Sequence, residues 1–189
     1  MMTNYLESVR KQFTYYKMLG EKTFDQLEEP QLFQSPAPES NSIAIIVNHL
    51  SGNMLSRWTN FLSEDGEKSW RDRDREFEDV LRNTDDLHAK WEEGWRCLFH
   101  ALDTITPENF DQLVYIRNQG HTIVEAINRQ LAHYAYHVGQ IVYIGKLFRD
   151  KQWRSLSIAR GASRRFNEEK FSGEKQRGHF TDGLIDGES

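Results

Sequence analysis

Apolar positions along this chain recur at helical spacing in four places, each bounded by a stop signal. Leu6, Val9, Phe13, Tyr16, Gly20, Thr23 and Leu27 step by threes and fours, which predicts a first helix over about 5–29, ended by the string EEPQLFQSPAPES. Ile43, Ile46, Val47, Leu50, Met54, Trp58 and Phe61 share one face of a second helix over about 41–62. A third helix is predicted from Thr84 to about 104 through Leu87, Trp91, Leu98 and Leu102, with Asp85 and Asp86 at its positive end. After Pro107, FDQLVYIRNQG reads as extended. Thr122 with Glu125 then has the form of a capping box, opening a fourth helix from Ile123 to about Phe148.

Two stretches break the amphipathic rule in opposite directions. Residues 64–82 carry 13 charges in 19 positions, too polar for a core element, and read as a long connection whose Arg and Asp side chains pair on a solvated surface while Trp70 anchors it. Gln130 to Gly145 carries no formal charge in sixteen positions, so the fourth helix is predicted to be buried on more than one side, with a homodimer contact covering the excess. Four long helices with a crossover between the second and third predict an all-α chain, a four-helix bundle over 1–154. A C-terminal tail follows over 155–189: its first part has spaced apolar groups that suit docking, and its end, GEKQRGHFTDGLIDGES, reads as mobile.

Composition narrows the function. A length of 189 residues suits one domain, and 12% aromatic content supplies the apolar area a core needs. A net charge of −5 without a Lys/Arg block argues against a nucleic-acid partner, and no run is apolar enough for a membrane span. The lone Cys97 closes no intrachain disulfide, and the start of the chain lacks a signal-peptide pattern, so a soluble protein of the cytoplasm is expected. No phosphate loop, nucleophile elbow or dinucleotide fingerprint is present.

The chemistry concentrates in histidine. His133 and His137 in HYAYH stand one turn apart on one helix face, a spacing that can chelate an ion and that lies inside the uncharged run. His49, at the edge of the apolar stripe of the second helix, is the candidate third ligand. Three imidazoles leave coordination positions open, the style of a catalytic site. The spacing equally allows satisfied core or interface histidines. Asn53, Gln130 and Gln140 lie one turn from the candidate ligands and suit substrate contacts or hydrogen bonds to an imidazole. His88, His100, His121 and His179 lack ligand-spaced partners. Tyr134 and Tyr136 read as packing or dimer contacts.

NHLSGNM, GEKSWRDRDREF, QLAHYAYHVGQI and SLSIARGASRRFN together resemble the DinB/YfiT-like superfamily, and within it the DUF1572 branch, over about Ser42 to Phe171. The resemblance implies a four-helix bundle, commonly dimeric, with a metal held by one His of the second helix and two of the last: His49, His133 and His137. It also implies a thiol-dependent transferase or isomerase using a low-molecular-weight thiol, since a divalent cation deprotonates a coordinated thiol at neutral pH. Zinc or nickel is the expected ion. The alternative is a non-catalytic binding or stress-response dimer that the metal only braces. Catalytic side chains beyond the ligands are not identified.

Overall fold

A computed structural model describes residues 2–185 as mostly helical: α1 (Met2–Phe24), α2 (Glu29–Phe33), α3 (Ile43–Trp58), α4 (Thr84–Asp103), the hairpin β1 (Leu113–Ile116) and β2 (Gln119–Thr122), α5 (Ile123–Arg149) and α6 (Ser163–Phe171). The starts follow the caps encoded locally. Ser42 accepts a hydrogen bond from the Ile45 amide at the head of α3, and Asn83 accepts one from the Asp86 amide at the head of α4. The Thr122–Glu125 capping box closes in both directions at the start of α5.

Two predicted helices are shorter than their apolar seams. The first stops at Phe24, and Pro30 with a Glu28–Gln31 capping box opens the separate short α2. The second stops at Trp58 because Thr59 is extended and Asn60 is left-handed, although Phe61 still reaches the core. The extended segment is the antiparallel hairpin, with Leu113 opposite Thr122 and Ile116 opposite Gln119. Arg117 and Asn118 both have positive φ in its turn. Asp65 accepts hydrogen bonds from both their amides, at 2.8 and 2.7 Å, and so ties the hairpin to the connection.

Packing pairs α3 with α4 and α1 with α5, with further contacts between α3 and α5 and between α1 and α4. Gly94 allows the first pair its close approach, since a Cβ there would stand 3.0 Å from the Ser51 Cα. At the centre Phe13, Trp95 and Tyr134 meet with ring centroids 5.9–6.3 Å apart. Tyr134 is fully enclosed, and its hydroxyl accepts from Trp58 Nε1 and donates to Asn53 Oδ1. No described helix is long and apolar enough to cross a membrane.

The connection departs from expectation. Trp70 is 58% exposed and anchors nothing; Lys68, Arg71 and Glu76 are the side chains turned inward, with a 3-10 turn at Arg75–Phe77. In the tail α6 is exposed, whereas His179 bonds Ser8, Thr181 is buried and Asp182 pairs with Lys11 on α1. The segment expected to be mobile, 173–189, extends beyond the described residues at 186–189.

The end of α5 stores strain. Asp150 sits at φ 45° and ψ −114°, a region that side chains disfavour. Asp150→Gly is expected to raise stability by about 1 kcal/mol. A urea midpoint that stays put or falls would mean that this turn carries no such strain.

Candidate metal centre

Helix α3 carries His49 on its buried face, and α5 carries His133 and His137 one turn apart on the face turned toward it. One ring nitrogen from each lies within 4.8 Å of the others, and among the described residues this is the trio gathered closely enough to hold an ion. His133 Nε2 is central, 3.4 Å from His49 Nε2 and 3.1 Å from His137 Nε2. His49 and His137 are buried, and His133 is the least enclosed.

The opposite ring nitrogens decide the chemistry. His49 Nδ1–H donates to Glu76 Oε2 at 2.9 Å, and His137 Nδ1–H donates to Gln140 Oε1 at 2.8 Å. In the tautomer that these two contacts select, Nδ1 carries the proton and Nε2 is the acceptor that faces inward. Burial, reinforced by His137 and His49, pushes His133 down to about 3. Burial likewise takes His137 down to about 4, against the opposing effect of its hydrogen bond to Gln140. His133 Nε2, within hydrogen-bond distance of both, either carries a proton that it donates to one neighbour or turns a third lone pair inward, the arrangement that suits an ion. Tetrahedral nitrogens bound at about 2.0–2.1 Å stand about 3.3–3.4 Å apart; the 3.1 and 3.4 Å edges that meet at His133 are near that spacing, while the trio as a whole spans up to 4.8 Å.

Residues that sequence reasoning missed hold the trio in place. Glu76 receives two hydrogen bonds from Arg71, Nε at 2.7 Å and Nη2 at 2.8 Å. Burial alone would raise the Glu76 carboxyl, but Arg71 and then His49 bring it below the usual carboxylate range. Phe77 stacks on His49 at 4.5 Å, Arg73 lies over Phe77 at 5.1 Å, and the exposed Tyr136 packs its ring 4.9 Å from that of His137. The alternating charges of 64–82 gave no sign of this, because alternation is the same whether a segment is solvated or laid over a helix.

The three amides separate. Gln140 orients His137, Asn53 accepts from Tyr134, and Gln130 lines a crevice against β1 of only about 10 Å³, room for one water at most. The remaining histidines have other neighbours: His88 meets Phe24 edge-on, His121 bonds Arg129, His179 bonds Ser8, and His100 is exposed.

No curated protein matches the chain, and no solved structure does. All three histidines, the connection that carries Glu76 and Arg71, and Gln140 fall within residues 1–162, the stretch matched by the family model described as "Protein of unknown function (DUF1572)", and the chain belongs to that family.

Proposed function

We propose that the protein is a metal-dependent enzyme of the cytoplasm, with His49, His133 and His137 holding a divalent ion, zinc or nickel, inside a four-helix bundle made by α1, α3, α4 and α5. The observation that carries this reading is the pair of Nδ1 contacts, Glu76 on His49 and Gln140 on His137, which leaves Nε2 of each ring facing His133, with the three nitrogens within 4.8 Å of one another. Three protein nitrogens leave room for an exchangeable ligand, as in catalytic rather than structural sites. A divalent ion in such a site acidifies a coordinated water or thiol and polarises an oxygen. The side chains supply the rest. Glu76 and Gln140 fix two rings, Phe77 and Tyr136 shield them, and the less enclosed His133 marks the side from which a small molecule enters.

The resemblance to DinB/YfiT-like proteins takes the proposal to an S-transferase joining a low-molecular-weight thiol to a small electrophile. Elemental analysis of protein purified without added metal is expected to return about one transition-metal ion per chain. A cobalt-substituted sample should change its visible spectrum when a low-molecular-weight thiol is added, because sulfur is a softer donor than water. Absence of metal removes the reading. A metal that no thiol perturbs transfers it to a bracing role.

We also propose a homodimer through α5. The uncharged run leaves Tyr136 62% and Tyr143 68% exposed, with Leu147 51% exposed one turn further on. This stripe exceeds what the chain covers by itself. Sedimentation at micromolar concentration is expected to give a dimer, and Tyr143→Lys to shift it toward monomer. A monomer in the unmodified protein ends the proposal.

A further inference from the structure

The connection touches α3 at Asn48, His49 and Gly52, more closely than a passive linker needs. The Glu76 carboxylate lies against α3 where Gly52 has no side chain: a Cβ at that position would stand 2.4 Å from Glu76 Oε1 and 2.7 Å from its Cδ. Glycine inside a helix weakens it relative to alanine, so the bare position is costly unless something occupies the space. Asn48 Nδ2 donates to the Glu76 carbonyl at 3.0 Å, His49 donates to its carboxylate at 2.9 Å, and Phe77 stacks on the His49 ring. Arg71 grips the same carboxylate with two nitrogens while residues 72–75 between them stay exposed. Residues 71–77 therefore form a strap whose inward side chains all serve His49, Glu76 and Phe77 by direct contact and Arg71 through Glu76.

Resting on the metal reading above, we infer that Glu76 is a positioning residue of the metal centre, and that ion binding and docking of the 71–77 strap are energetically coupled through His49. A carboxylate on Nδ1–H keeps the proton away from Nε2, orients the ring and strengthens Nε2 as a donor. Without it His49 is free to carry its proton on Nε2, facing the other two imidazoles, and that proton must leave before an ion binds. Arg71 neutralises the enclosed carboxylate and fixes its angle. Coupling is reciprocal: whatever the docked strap adds to ion affinity, the ion adds to docking.

The test uses the full chain, with zinc as the probe. Glu76→Gln keeps the shape of the side chain, and Gly52→Ala leaves every ligand and charge in place while displacing the carboxylate. Both are expected to weaken zinc binding about 10–100-fold in competition with a chromophoric chelator. In the metal-free protein, two-bond nitrogen spectra should put the His49 proton on Nδ1, moving toward Nε2 in Glu76→Ala. A role confined to stability would leave that signature where it is. Amides of 71–77 should exchange more slowly once zinc is added, an effect lost in Glu76→Gln. Affinities within twofold of the unmodified protein in both variants, alongside loss of zinc in His133→Ala, overturn the positioning role and leave the metal reading standing. If the unmodified chain binds no zinc, both fall.

Discussion

His133→Ala is expected to weaken metal binding by about 100-fold or more, beyond the 10–100-fold typical of losing a partner behind a ligand. Its Nε2 is the shared member of the two short contacts, 3.4 Å to His49 and 3.1 Å to His137, so its removal leaves donors from different helices with nothing between them. His49→Ala and His137→Ala should lower affinity in the same way. They also remove the ring protons that Glu76 and Gln140 accept, but Arg71 still holds the Glu76 carboxylate with two hydrogen bonds and Gln140 is half-buried, so the added instability is expected to be small. His133→Ala is the cleaner variant because its side chain is the least enclosed of the three. Metal content and chelator competition on all three decide the matter. Unchanged stoichiometry and affinity throughout would remove the site.

Arg71→Met should cost about 3–5 kcal/mol, the range for breaking an enclosed ion pair from one side. The Arg71 side chain is 2% exposed against 8% for Glu76, and the same guanidinium also reaches Glu67 at 3.3 Å. Methionine approximates its volume and abandons the charge, leaving the Glu76 carboxylate enclosed beside His49. Adding Glu76→Gln to Arg71→Met should recover part of the loss, because the uncompensated charge then goes too. Urea unfolding of the two single variants and the double variant measures this. A loss below about 1 kcal/mol for Arg71→Met, in the range of surface pairs, would show the network to be solvated.

Much of the helical framework was legible in residue spacing, and the reason is local. The seam from Ile43 to Trp58, the Thr122–Glu125 box and the i, i+4 pair His133–His137 are each written within one or two turns, where side-chain direction follows from backbone geometry. The extended reading of FDQLVYIRNQG covers β1, whereas its pairing with β2 around the Arg117–Asn118 turn was not read and departs from an all-α chain. What could not be read depends on long-range placement. Glu76 lies 27 residues from His49, in a segment whose composition describes solvent-facing chain equally well. Trp70 illustrates the converse: its size suggested an anchor, yet smaller charged neighbours have the partners and it faces water. The break between α1 and α2 was hidden because Leu27 continues the apolar step past the point where the backbone turns.

His49 and His133 stand 84 residues apart along the chain and 3.4 Å apart at their inner nitrogens. An ion gripped by both is therefore a reversible cross-link over most of the chain's middle, and closing a loop of that length removes roughly 4–5 kcal/mol of conformational freedom from the unfolded state. That contribution exists whether or not any reaction takes place at the ion. It would vary with the free concentration of the metal, so the unfolding midpoint is expected to follow supply and to drop under a chelator. A protein stapled in this way loses persistence as well as chemistry when metal is scarce, and cellular abundance would track metal status even with expression held constant.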